Sequence, residues 1–156
     1  MDSFLGLDLL RNYSYFSVPA AFLLAALPHM YAVLSSRAHY DNANPRGHHD
    51  SVARSETLNT VKQQCMLRAK AATANGFETL GFYASAVVAA NVTGVEVGTL
   101  NTLTLGYVLS RFVYNFAYIW LQKNRRLAGV RSLSWVFGIV LAWTLWIKAG
   151  NRALVN

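Results

Sequence analysis

The 156-residue chain has one cysteine, Cys65, and little charge: only 13% of its residues are Asp, Glu, Lys or Arg, about half the usual fraction. A lone cysteine excludes an intramolecular disulfide, and without a Cys/His ligand set no metal site is expected. The shortage of charge accompanies 54% hydrophobic residues and a mean hydropathy of +0.26. A soluble domain of this length needs more polar surface, so the composition points to a membrane protein. The net charge of +7 would suggest nucleic-acid binding in a soluble domain. Here no clustered basic face is present, and the basic residues gather at the ends of apolar runs, as membrane-flanking arginines and lysines do. No nucleic-acid partner is expected. No internal repeat is visible, and the start "MDSFLGLDLLRN" lacks the basic opening and small-residue cleavage site of a signal peptide.

Four apolar runs are present, at about 15–36, 61–92, 97–122 and 132–150. The first, "YFSVPAAFLLAALPHMYAVLSS", reaches the roughly 20 residues that span a bilayer core, with Pro28 expected to kink it. Trp135 and Trp146 lie near the two ends of the fourth, as interface anchors. The pattern predicts an all-α fold: one membrane domain over 1–156, with a polar loop over 37–60. The connection "NVTGVE" is short, so the second and third helices should be antiparallel neighbours. Arg37, Arg46 and Arg54 follow the first run, and Lys123, Arg125, Arg126 and Arg131 follow the third. The opposite side carries Arg11, Lys148 and Arg152. That asymmetry puts both long loops in the cytosol and both termini in the lumen or outside the cell. In a eukaryote the expected membrane is the endoplasmic reticulum.

Charges stand inside these runs. An ionisable side chain in a membrane helix costs at least roughly 2.5–3.5 kcal/mol, so it normally faces the bundle interior or a wet cavity. At 100° per residue, Arg68, Asn75 and Glu78 share one polar stripe of the second helix. On the third, Tyr107, Arg111, Tyr114 and Tyr118 follow i, i+4, i+7 and i+11, again one face. The two stripes are expected to turn toward a common cavity, as a ligand site or as structural inter-helix hydrogen bonds. Arg68 and Glu78 are about 15 Å apart along the axis and do not neutralise each other. Glu78 and Arg111 fall at nearly equal depth, which predicts an ion pair between them. His39, His48 and His49 are expected to be solvated loop residues. His29 should hydrogen-bond a neighbouring helix or the carbonyl that Pro28 leaves free.

"RAKAATANGFETLGFY", residues 68–83, resembles the second-helix signature R-A-x-R-A-x-x-N-x-x-E-x-x-P-x-F of the MAPEG superfamily, the membrane-associated proteins in eicosanoid and glutathione metabolism. Arg68, Ala69, Ala72, Asn75 and Glu78 match in register, and Tyr83 stands at the closing aromatic position. "RFVYNFAY", from Arg111 to Tyr118, resembles the third-helix signature. "VRSL" is similar to the basic start of the fourth helix, and "YDNANPRG" to the cytosolic loop of microbial members. The likeness covers about Tyr40 to Leu141. It implies a four-helix transmembrane bundle assembling as a homotrimer, with sites between subunits that bind glutathione and a lipophilic small molecule within membrane lipid. Carried over by position, Arg68, Asn75, Glu78, Arg111, Tyr114 and Tyr118 form the ligand-binding set, with Glu78 facing the peptide ammonium. Arg131, Ser132 and Tyr118 form the catalytic set, in which Arg131 stabilises the thiolate and Ser132 donates to it or caps the helix. A snorkelling interface arginine is the plainer reading of Arg131. Arg125 and Arg126 compete for the thiolate role.

The chain also departs from the signature. Ala71 replaces its second arginine, Thr73 and Ala74 stand where polar or basic residues are common, and Gly81 replaces the proline. Three functions follow: a glutathione-dependent transferase or peroxidase, a glutathione-independent isomerase or cyclase of a lipophilic metabolite, and a non-catalytic lipid-binding scaffold.

Overall fold

The structure is a computed structural model that describes residues 3–4, 7–8, 10–124 and 127–155. The fold is all-α. Its helices are α1 (Ser17–Ser35), α2 (His48–Ala53), α3 (Thr60–Val92), α4 (Val97–Trp120) and α5 (Ala128–Ala153). Apart from these and short 3-10 turns, the described secondary structure is a two-residue ladder between Ser3–Phe4 and Leu7–Asp8. The fourth apolar run begins its helix four residues earlier than expected, at Ala128, which puts Arg131 inside the first turn. The polar segment 37–60 is more than loop: it folds into α2 and two 3-10 turns, Arg37–His39 and Pro45–Gly47.

Local chemistry sets where these helices start and stop. Asn59 caps α3, its side chain accepting from the Val61 amide at 2.9 Å. At the other end Gly94 takes φ +73°, open to a residue without Cβ. Val95 N–H then bonds to Ala90 C=O and Gly94 N–H to Asn91 C=O, a Schellman closure that turns the chain into α4. Gln63 stops α2 from its neighbour, donating to the terminal carbonyls of Val52 (2.8 Å) and Ala53 (3.0 Å).

α1 packs chiefly on α3 and α4 chiefly on α5, while α3 also touches α4 and α5. Many of the buried side chains at these seams are small, among them Ala21, Ala25, Ala72, Ala86, Ala90 and Ala142, beside a few large ones such as Tyr83, Tyr107, Leu100 and Leu145. Many other large apolar side chains, such as Phe22, Leu27, Phe112, Phe116, Leu133 and Trp143, face outward. A soluble core would hold more of them inside. In lipid nothing drives apolar side chains inward, and small residues let helices approach closely. Where α1 crosses α3, a Cβ added to Gly76 would lie 2.8 Å from Ala25 Cβ. The segments Ser14–Ser35 and Ala128–Ala153 are long and apolar enough to cross a membrane.

Several polar groups inside the bundle find partners. Pro28 has no N–H for the Leu24 carbonyl one turn back, and Asn115 of α4 supplies it, Nδ2 to O at 2.7 Å. This corrects the expectation for His29, which makes no hydrogen bond among the described residues. Tyr83 stacks on Tyr107 at 3.5 Å and donates to Ser17 Oγ at 2.5 Å. Trp146 is half-buried and donates to Phe82 C=O at 3.3 Å, so it ties α5 to α3.

Candidate functional site

The spacing of Tyr107, Arg111, Tyr114 and Tyr118 on α4 builds a ladder of rings and cations. Arg111 is only 4% exposed. Its guanidinium carbon lies 5.4 Å from the Tyr107 centroid and 5.2 Å from that of Tyr114, within cation–π range. Nη2 crosses to α5 and donates to Trp135 C=O at 3.2 Å. Tyr114 meets Tyr118 edge-on at 5.7 Å. The Arg131 guanidinium lies 4.8 Å from the Tyr118 centroid, and its Nη2 approaches Ser132 Oγ at 3.5 Å. The three residues expected to be catalytic, Arg131, Ser132 and Tyr118, are therefore brought together, with Tyr114 beside them. Ser132 does not cap α5: Leu127 occupies the N-cap, without a side-chain bond. The first turn of α5 leaves amides directed outward, and with the Arg131 cation they favour an anion.

The α3 residues form a second group. Arg68 and Asn75 are half-buried and Glu78 is exposed. Among the described residues, neither Arg68 nor Glu78 makes a hydrogen bond or ion pair, and Asn75 Oδ1 is buried without a hydrogen-bond partner. No hydrogen bond or ring contact joins this group to Arg131, Ser132 or Tyr118 in the same chain. The expected Glu78–Arg111 ion pair does not form. Arg111 is turned toward α5, where the Trp135 carbonyl accepts from it, between the rings of Tyr107 and Tyr114 on its own helix, while Glu78 lies on the outward side of α3. Around Glu78 that side is lined by small exposed residues: Ala71, Ala74, Gly81 and Ser85. Arg125 and Arg126, the competitors of Arg131, lie outside the described residues.

The loop histidines divide. His49 is exposed beside Asp50, Nδ1 to Oδ1 at 3.3 Å. His39 is half-buried and bonds to Ser55 Oγ at 2.8 Å. His48 is 1% exposed, which corrects the solvated reading. Its Nε2 lies 2.7 Å from Ser36 Oγ, and Ser36 gives its own proton to Ala32 C=O. His48 must therefore donate from Nε2. Burial, followed by the nearby Lys70 charge, holds the His48 pKa below the ordinary 6.5. Among the described residues no group of three His, Cys, Asp or Glu side chains is placed to hold a metal ion.

Sequence reasoning missed Gly138 and Asn115. A Cβ on Gly138 would lie 2.7 Å from Arg111 Nη2 and 2.5 Å from Ser110 Oγ, so the bare backbone is what admits the guanidinium. The only signal was a glycine among bulky residues in "WVFGIV". For Asn115 the signal was an amide side chain in an apolar run opposite an internal proline.

Seams rich in small residues, many large apolar residues facing outward and an arginine–tyrosine cluster between helices define a helical membrane protein. The sequence profile of the MAPEG family matches residues 15–151, nearly the whole helical part. The chain belongs to the MAPEG family and is an integral membrane protein. No curated protein and no solved structure matches it.

Proposed function

We propose that this protein is a glutathione-dependent transferase or peroxidase acting on a lipophilic electrophile, at a site between the subunits of a homotrimer. The observation that carries this reading is the division of the site into two halves. Arg131, Ser132, Tyr114 and Tyr118 gather where α4 meets α5. Arg68, Asn75 and Glu78 stand on α3 without hydrogen-bond or ion-pair partners for their side chains among the described residues. A neighbouring subunit brings one half against the other.

The donor and acceptor set suits the tripeptide. Asn75 Oδ1 lacks a donor, and an amide N–H supplies one. Glu78 offers a carboxylate to an ammonium, and Tyr114 and Tyr118 offer hydroxyls to carboxylate or amide groups. Glutathione supplies a thiol, which reacts as thiolate. Arg131 holds that negative charge at the first turn of α5, and Ser132 donates a hydrogen bond beside it. The trimer rests on the cost of Glu78 in lipid, at least roughly 2.5–3.5 kcal/mol. A neighbour's α3 packed on the small-residue face removes that exposure. We place both long loops in the cytosol and both termini in the lumen, in the endoplasmic reticulum if the source is eukaryotic.

One observation favours a second reading. Ala71 stands at the position of the family's second arginine and is exposed. A ligand carboxylate there lacks a charge-assisted contact of about 1.5–3 kcal/mol, roughly ten- to a hundred-fold in affinity. A glutathione-independent isomerase or cyclase of a lipophilic metabolite needs no such contact, and Arg131 and the tyrosines then polarise the substrate directly.

Calorimetry with glutathione on the purified protein, together with the ultraviolet difference spectrum of the bound thiolate, separates the two. The first reading expects binding and thiolate absorbance. It also expects Arg131→Ala to remove the absorbance and slow turnover by about 100-fold, with helix content unchanged. An absence of both heat and absorbance in the native protein rejects it in favour of the second.

A further inference from the structure

We propose that Arg111 is a positioning residue rather than a ligand contact, and that Gly138 is the partner position that lets it act. Through Tyr114 and Tyr118, the pair fixes the orientation of Arg131. The proposal rests on Arg131 as the site arginine but not on the identity of the ligand.

With 4% of its surface exposed, Arg111 is closed off from a peptide-sized ligand, although its Nε and Nη1 have no hydrogen-bond partner among the described residues. Its contacts lead in one direction. One end is docked on the α5 backbone by the Nη2 bond to Trp135 C=O, and the flat faces of its neighbours Tyr107 and Tyr114 lie within 5.4 Å and 5.2 Å of it. Tyr107 is itself stacked on buried Tyr83, so that side of the clamp is fixed and the other side, Tyr114, takes its position from it. Tyr114 sets the edge of Tyr118, and Tyr118 is the platform under Arg131. Arginine suits this role because its plane can stack while its fork reaches a carbonyl; the ammonium of lysine is a point charge with no plane.

Gly138 makes the crossing possible. A methyl group there would lie 2.5 Å from Ser110 Oγ, 2.7 Å from Arg111 Nη2 and 3.2 Å from Arg111 Nε. Real Cβ contacts do not become that short, so the guanidinium must shift. Alanine is otherwise the better residue in a helix interior, and helix propensity alone would favour it here.

The test reads Arg131 directly. Full-length protein labelled with ¹⁵N-arginine is placed in nanodiscs, and the Arg131 Nε–H resonance is assigned by its loss in Arg131→Lys. Tyr118→Leu gives the position of that resonance without the ring beneath it. Gly138→Ala and Arg111→Lys should each move the resonance at least halfway to that position, with helix content and oligomeric state retained. Gly150→Ala is the control on the same helix, because a Cβ there meets nothing within 4 Å, and it should leave the resonance in place. An Arg131 resonance unmoved in folded Gly138→Ala, or in Arg111→Lys where Gly138→Ala does not fold, overturns the proposal. Failure of the native protein to bind glutathione would sink the transferase reading while leaving this measurement intact.

Discussion

At the residue scale, the Ser17 hydroxyl is used both as acceptor and as donor. It accepts from Tyr83 and donates to the Ser14 carbonyl. The two ends of the Tyr83–Ser17 bond are therefore not equivalent. Tyr83→Phe keeps the stack on Tyr107 and leaves Ser17 with its other bond, so it should cost only about 0.5–1.5 kcal/mol. Ser17→Ala strands a fully buried phenol donor and should cost more, about 1–3 kcal/mol. Denaturant unfolding of the two variants in detergent checks the order, and a Tyr83→Phe loss larger than that of Ser17→Ala would reject it. Arg111 is the counter-case: placed in a helix interior without a carboxylate, it draws on two ring faces and one backbone carbonyl, and its Nε and Nη1 have no hydrogen-bond partner among the described residues.

At the scale of elements, Pro28 of α1 and the amide of Asn115 on α4 form one device. Asn115→Leu should destabilise the protein by about 1–3 kcal/mol, because the Leu24 carbonyl loses its donor. In a Pro28→Ala background residue 28 regains an N–H for that carbonyl, and the loss from Asn115→Leu should shrink. Additive losses in this double-mutant cycle would mean that the two are unconnected. A second device is the segment 37–60, held down on α1 by His48. Its folded pKa is depressed, so below about pH 6.5 the unfolded imidazole binds the proton more readily. Stability of the segment is full above that value and falls with decreasing pH. The charged or titratable groups facing His48 are Lys70, His29, His39 and His49; each cation among them adds to the penalty. Hydrogen exchange of the α2 amides should accelerate between about pH 7.5 and about pH 5.5 beyond the intrinsic trend. His48→Gln should flatten that dependence, and a native profile that is already flat would remove the latch.

For the whole molecule, the prediction concerns assembly. Gly81 lies on the exposed small-residue face of α3, where a Cβ would meet nothing within 4 Å of its own chain. Gly81→Leu should therefore be tolerated by the protomer, with helix content unchanged. If this face is the subunit contact, the larger side chain should shift the native mass spectrum from trimer to monomer. A trimer that survives Gly81→Leu would place the contact elsewhere. Assembly bears on the site as well, since among the described residues of one chain no hydrogen bond or ion pair joins Arg68, Asn75 or Glu78 to Arg131, Ser132 or Tyr118.

Apolar runs of membrane-spanning length separated by polar segments determined the number and order of the long helices, because in lipid the backbone must satisfy itself within each segment. Helical periodicity placed Tyr107, Arg111, Tyr114 and Tyr118 on one face, and proximity in sequence made Arg131 and Ser132 neighbours. The signature in 68–83, in register with "RFVYNFAY" and "VRSL", was enough to bring out the family. Which way Arg111 turns was decided only by packing. Depth along the helix made Glu78 look like its partner, but depth carries no information about azimuth, and the vacancy left by Gly138 on another helix set the direction. The burial of His48 was likewise invisible, because a polar loop folds back only when there is a helix surface to receive it. Asn115 was an unremarked amide until Pro28 and α1 were placed opposite it. Periodicity is local to one helix; which side chain meets which is a property of the gaps between helices, and only the tertiary structure contains those.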